Sequence, residues 1–279
     1  MPDKSYPDTD AYGVLSNKKE VKVLSWNIWW KFEDYLNRQT LIFNELMKAQ
    51  PDILCLQEVW EDKDGSQAKK IADLFGYDYC YAKSFDFDEV SFGNAIISKY
   101  PIKNYTFHLI PTEEEFNENR TLLHAEIMYE KNKMNILCTH LNYKYNQSDI
   151  RKKQVEYILE YISKLDKTEF PSILCGDFNA DPHSDEIRML LGLSSPVKRT
   201  VLRDSWQLVN PDDHGYTWSN ENNFARKTLE PDRRIDYIFV GPPGKNGLGH
   251  PLGSILLGNK EKDGLYPSDH FGIMARLEG

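Results

Sequence analysis

Six short segments, spread from the start of the chain to its end, each lead to a side chain that can do chemistry. Val23-Leu24-Ser25-Trp26 leads to Asn27, and Ile53-Leu54-Cys55-Leu56-Gln57 leads to Glu58. Ile136-Leu137-Cys138-Thr139 leads to His140, and Ile173-Leu174-Cys175-Gly176 leads to Asp177, with Asn179 two residues on. Arg234-Ile235 leads to Asp236, and Pro267-Ser268 leads to Asp269 and His270. Short apolar runs of this kind read as buried strands. A charged group entering a buried layer is costly unless it is paired or metal-bound. The strand set predicted on this basis is Val21–Asn27, Ile53–Glu58, Asn94–Ser98, Leu122–Met128, Met134–His140, Ser172–Asp177, Ile235–Val240 and Ile273–Leu277.

Amphipathic segments fit between several of these strands. Glu33–Lys48 carries Leu36, Phe43 and Met47 on one side and is followed by Pro51. Ser66 is placed to cap a helix bearing Ile71, Leu74 and Phe75, with Gly76 to stop it. Ser148 is placed to cap the strongest helix, in which Ile150, Gln154, Ile158, Tyr161, Ile162 and Leu165 keep helical spacing. Ser184 opens a short one with Asp185 and Glu186 in its first turn, where negative charge is favoured. Strands far apart in sequence and mixed with helices predict an α/β or α+β layered fold. The polar residues 1–18 read as a loose lead-in to one domain over residues 19–279, and Gly241–Gly253 reads as a long loop.

The formal net charge of -9 and pI near 5.3 argue against a strongly basic nucleic-acid binder, but leave room for phosphate bound locally through a metal. No Cys-x-x-Cys pair is present, so zinc and thioredoxin-type chemistry are disfavoured, and Cys55, Cys138 and Cys175 sit in apolar runs as small core residues. The N-terminus lacks the basic start and apolar run of a signal peptide, and no stretch approaches a membrane span. A cytoplasmic monomer with no membrane span and no obligate protein partner is the expectation.

If the strand ends converge, Asn27, Glu58, Asp177 and Asp269 offer the hard oxygen ligands that Mg²⁺ prefers. Phosphate-ester hydrolysis needs such a metal, a base for water, and donors for the developing charge. Asp236 and His270 make an orienting pair in which the carboxylate fixes the imidazole.

The ordered set Ser-Trp-Asn-Ile, Leu-Gln-Glu-Val, Thr-His-Leu, Gly-Asp-Phe-Asn, Arg-Ile-Asp-Tyr and Ser-Asp-His resembles the endonuclease/exonuclease/phosphatase superfamily of DNase I-like phosphoesterases over nearly the full chain. The resemblance implies a four-layer sandwich of two mixed β-sheets packed face to face, with helices outside and a site at one end of the sheets. It implies Mg²⁺, with Mn²⁺ as a substitute, held by Asn27, Glu58 and Asp269, with Glu58 most direct. It implies that Asp177 positions or deprotonates the attacking water, that Asn179 bonds the phosphate or nucleophile, and that His140 donates to a phosphate oxygen. His270, oriented by Asp236, would contact the phosphate, and the choice of base between Asp177 and His270 stays open. Arg120 matches a position often basic in related hydrolases and reads either as a phosphate grip or as an ordinary surface arginine. Asn94 reads as structural.

Departures from the pattern narrow the substrate. His140 stands where exonuclease III-type AP endonucleases carry tyrosine, the Trp-Cys-Asp-Arg segment of the inositol phosphatases is absent, and Phe178 stands where the tyrosyl-DNA phosphodiesterase carries threonine. The expected substrate is a phosphate ester, with nucleic acid the leading class and small or lipid phosphates the alternative. Trp29, Trp30, Phe85, Phe87, Phe92, Tyr143, Tyr145 and Trp218 fall in or near expected loops, where some could stack on bases. Arg151, Lys152 and Lys153 read as a solvated helix face.

Overall fold

In the computed structural model, which describes residues 19–113 and 118–279, two β-sheets stack face to face. The expected lead-in over residues 1–18 lies outside the described residues. The first sheet runs in the order β12 (Pro251–Leu257), β13 (Gly272–Glu278), β1 (Glu20–Asn27), β2 (Ile53–Asp62), β5 (Val90–Ser98) and β4 (Asp78–Phe87), with the two-residue β3 (Gly65–Ser66) on β2. The second runs in the order β10 (Arg203–Asp204), β11 (Asp236–Val240), β9 (Ile173–Asp177), β8 (Asn132–His140), β7 (Arg120–Tyr129) and β6 (Ile102–Ile110). Both sheets are mixed: β1 pairs parallel with β2, and β8 parallel with β9, among antiparallel neighbours.

Alternation along each strand explains the layers. Val21 and Val23 of β1, Ile53 and Cys55 of β2, Ile136 and Cys138 of β8, and Ile173 and Cys175 of β9 form one core between the sheets. Their neighbours face the other way. Leu24, Trp26, Leu54 and Leu56 pack with Ile42 and Leu46 of α1 (Tyr35–Ala49) and Ile71 of α2 (Gln67–Phe75). Leu137 and Leu174 pack with Val155, Ile158 and Leu159 of α3 (Ser148–Lys164) and Ile187 of α4 (Asp185–Leu190). The result is the expected four-layer α/β sandwich. A fifth helix, α5 (Ser205–Val209), follows β10. No described helix is long and apolar enough to cross a membrane.

Several local expectations change. The buried stripe of α1 is Arg38, Ile42 and Leu46, while Leu36 and Met47 are exposed. The helix starts at Tyr35 because Glu33 takes a left-handed backbone (φ 50°). Ser66 caps α2 as expected by accepting from the Lys69 amide, and Gly76 ends the helix in the left-handed region. Ser148 is the first residue of α3 rather than its cap. Arg151 is not on a solvated face: it is buried and donates to Glu186 of α4 at 2.9 Å and to the Asn142 and Lys144 carbonyls. The Gly241–Gly253 loop is shorter than expected, because β12 begins at Pro251. Asn94 is buried and donates across the seam to Thr121 of β7, a structural tie between the sheets.

Candidate active site

The parity that puts Ile136 and Cys138, Ile173 and Cys175, and Ile238 and Val240 between the sheets also puts His140, Asp177 and Asp236 there, at one end of the seam. These three are cross-strand partners: His140 faces Asp177 on one side, and Asp236 faces it on the other. Asn27 ends β1 on the opposing sheet with the same parity as Val21 and Val23. Glu58 would fall on the helix side of β2, out of step with Ile53 and Cys55. An irregularity between Leu56 and Val59, with Glu58 at φ 56°, breaks the alternation there. Gly176 serves a packing need: a Cβ there would lie 2.3 Å from the Thr139 carbonyl oxygen of β8.

Asp177 is the hub. Its Oδ2 accepts from Asn27 Nδ2 at 3.1 Å and lies 3.4 Å from His140 Nε2 and 3.7 Å from His270 Nε2. Its Oδ1 accepts from the Asn179 amide at 2.9 Å. Asn27 Nδ2 also donates to Glu58 at 3.1 Å, while its Oδ1 accepts from the Trp29 amide, so here the amide orients two carboxylates. Asn179 Nδ2 donates to the Leu141 carbonyl. Asp236 Oδ2 bonds His270 Nδ1 at 2.9 Å. Asp269 Oδ1 accepts from the Ser268 hydroxyl. Arg120 is no surface arginine: it is buried, pairs with Glu118, and has Nε and Nη1 without partners.

These groups open on one pocket of about 580 Å³ that holds Glu58, Arg120, His140, Asp177, Asn179, Asp269 and His270. Asn27 and Asp236 stand behind the lining and hold what faces it. Phe32, Phe85, Phe92, Tyr143 and Trp218 form aromatic walls, and Glu118, Lys144, Thr228, Glu230 and Arg233 add to the polar lining. Arg233, which donates to Asp181 and Glu230, was not singled out from sequence. Its one signal was its place just before Arg234-Ile235-Asp236. Trp29 instead packs on Phe224, and Trp30 lies behind the wall, in an aromatic cluster with Trp60 and Phe92.

The electrostatics follow from burial and crowding. Burial, then the nearby Asp269 charge, push Glu58 up to about 7. Burial and Asp236 push Asp177 up to about 6, and burial raises Asp269. Burial and the Arg120 charge hold His140 well below the usual imidazole range. Burial would also lower His270, but Asp236 and Asp177 together outweigh it and hold it well above that range. The half-buried Glu58 and the buried Asp269 turn two carboxylates onto the same pocket, and hard oxygen donors of this kind fit a divalent cation such as Mg²⁺. The ligand-capable atoms of Asp177, Asp236 and His270 also lie within 4.8 Å of one another, although Nδ1 of the imidazole is taken up by Asp236.

A two-sheet sandwich with helices outside and this cluster at the end of its seam defines the DNase I-like class. The chain belongs to the Endonuclease/Exonuclease/phosphatase family, which its residues 24–270 match. It is 29% identical to protein angel of Drosophila melanogaster over 61% of this chain and 51% of that protein. It is 24% identical to nocturnin of the same organism over 87% of this chain and 42% of that protein. The chain thus spans about half the length of the curated relatives it matches. Among solved structures, D. rerio TDP2 complexed with single strand DNA product matches with TM-score 0.76 at 23% identity, over 94% of this chain and 100% of that one. A Bacteroides vulgatus endonuclease/exonuclease/phosphatase matches with TM-score 0.73 at 18% identity, over 94% and 99%. At these identities the structural likeness speaks for the fold.

Proposed function

We propose that the chain is a Mg²⁺-dependent phosphodiesterase that hydrolyses a phosphate ester by in-line attack of an activated water, with nucleic acid as the substrate class. The observation that carries this reading is the single carboxylate, Asp177, touched by Asn27, Asn179 and two imidazoles in one pocket with Glu58 and Asp269. Glu58 and Asp269 would hold the metal, with Asn27 orienting Glu58. When bound, a divalent ion neutralises phosphoryl oxygens and favours the charge that develops on them.

The chain's own residues do the rest. Asp177, fixed by Asn27 and the Asn179 amide, orients water and accepts its proton. His270, held between Asp236 and Asp177, carries a proton that it can donate toward the phosphate. His140 donates from Nε2 on the other side. Arg120, with two unpartnered nitrogens, grips a phosphoryl oxygen. Phe85, Phe92, Tyr143 and Trp218 offer faces for bases, and the DNA product in the D. rerio TDP2 structure points the same way.

Chelation should abolish turnover of bis-p-nitrophenyl phosphate, and Mg²⁺ or Mn²⁺ should restore it. Glu58→Gln should weaken metal affinity while leaving the melting temperature close to wild type. Full turnover by verified metal-free protein would refute the reading. A panel of single-stranded and duplex DNA, RNA, sphingomyelin and inositol phosphates then separates nuclease from lipid or small-phosphate specificity.

A further inference from the structure

Two irregular segments flank the proposed metal site. One, residues 28–32, follows Asn27; the other, residues 267–271, carries Asp269 and His270. One side chain grips both. Arg38 lies on the buried stripe of α1 beside Ile42 and Leu46 and is 1% exposed. Its Nη1 donates to the Ile28 carbonyl at 3.2 Å and to the Pro267 carbonyl at 3.0 Å. Its Nη2 donates to Trp29 (2.8 Å), Trp30 (3.2 Å) and Phe32 (2.8 Å), and its Nε to Phe32 (3.2 Å). The guanidinium also sits over the Trp29 ring at 4.6 Å. Among the described residues no carboxylate hydrogen-bonds it.

A buried cation is a costly way to pack a helix, and an apolar residue would serve better if packing were the whole purpose. What a guanidinium supplies instead is a planar fork of donors that dictates where carbonyls must lie. The backbone it organises needs holding, since Trp29 and Trp30 take the left-handed region at φ 57° and 34°. The grip reaches the site in one step on each side. The Trp30 amide donates to the Glu58 carbonyl at 3.0 Å, at the irregularity in β2. Pro267 precedes Ser268, whose single hydroxyl proton is shared between the Asn27 carbonyl at 2.7 Å and Asp269 Oδ1 at 3.2 Å, and whose oxygen accepts from the His270 amide.

We infer that Arg38 is a positioning residue: its fork clamps the 28–32 and 267–271 segments together and so sets the spacing of Asn27 and Glu58 from Asp269. The consequence for metal rests on the function proposed above; the clamp itself does not.

The test compares the full chain with Arg38→Lys, which keeps the charge but loses the fork, and Arg38→Met, which loses both. Hydrogen exchange on the metal-free proteins should show the Trp30 and His270 amides exchanging about tenfold faster or more in both variants, with β8 and β9 amides unchanged. Mn²⁺ affinity, read by paramagnetic resonance on the folded proteins, should fall by about 10- to 100-fold, the scale for groups that orient metal ligands. If Arg38→Met does not fold, Arg38→Lys carries both measurements. Amides that stay protected in the folded variants would overturn the inference. So would a lysine that restores wild-type protection and affinity, or loosened segments with unchanged Mn²⁺ affinity. A wild-type chain that binds no Mn²⁺ would instead refute the metal reading, and the exchange data would then decide the clamp alone.

Discussion

At the scale of single residues the chemistry turns on Asp177 and on the imidazole bridging it to Asp236. Asp177 accepts two hydrogen bonds through separate oxygens, from Asn27 and from the Asn179 amide. Asparagine can fill the same space but cannot take a proton. Asp177→Asn should therefore lose about 10²-fold or more in kcat, the usual scale for acid–base help, while its melting temperature falls only modestly, because the amide leaves one of the two donors unmet. A large fall in stability with an unchanged single-turnover rate would move Asp177 to a structural role. Asp236 acts through His270, whose Nδ1 it holds at 2.9 Å. Asp236→Asn and His270→Ala should then be non-additive: the double mutant should lose little more than the worse single mutant. Strictly multiplicative losses in kcat/KM would separate the two residues. Every site position named from sequence lies in this cluster or on its pocket. Arg38 was not legible, because one arginine in an amphipathic helix reads as surface until the carbonyls around it are seen.

At the scale of elements, the strands bearing the site were legible because they are central. β2, β8, β9 and β11 are covered on both faces and so show short apolar runs, and β1, interrupted by Lys22 and Ser25, still keeps Val21, Val23, Leu24 and Trp26 buried. The long strands that were missed, β4, β6 and β12, are all sheet edges. An edge faces water along part of its length, so Ile102–Ile110 mixes Lys103 and Asn104 with exposed Tyr105, Phe107 and Leu109, and no run survives. The irregularity that frees Glu58 from its expected face was likewise invisible, since it depends on pairing with β5. One tie between elements carries a pH signature. His124 of β7 bonds Asn135 of β8 at 3.1 Å and the Tyr161 hydroxyl of α3 at 2.9 Å. Burial lowers its pKa below the ordinary 6.5, so the fold favours the neutral ring. Its contribution is present in full above the unfolded value and is lost as pH falls below it. The wild-type melting temperature should drop from pH 6.5 toward about pH 5 more steeply than that of His124→Gln. Parallel profiles would remove His124 from the acid response. His140, lowered in the same sense, and Glu58 and Asp177, raised and so opposite in sign, are common to both proteins and cancel in the comparison.

At the scale of the whole molecule, the chain lays down most of the first sheet, β1 to β5, then all of the second, β6 to β11, and returns with β12 and β13 to complete the first. The return brings Asp269 and His270 beside Asn27, and β13 pairs with β1. The seam between the sheets holds Cys55, Cys80, Cys138 and Cys175, all buried and free. Because they line the one surface that both sheets share, reagent can reach them only when the sheets part. The native protein should thus be nearly inert to a thiol-specific dye, and all four thiols should react together in denaturant. Early labelling of one cysteine alone would show a local breach. If all four react at one rate under native conditions, the cysteines become a built-in gauge: labelling speed, set against that of the unfolded chain, measures the free energy of prying the sandwich open.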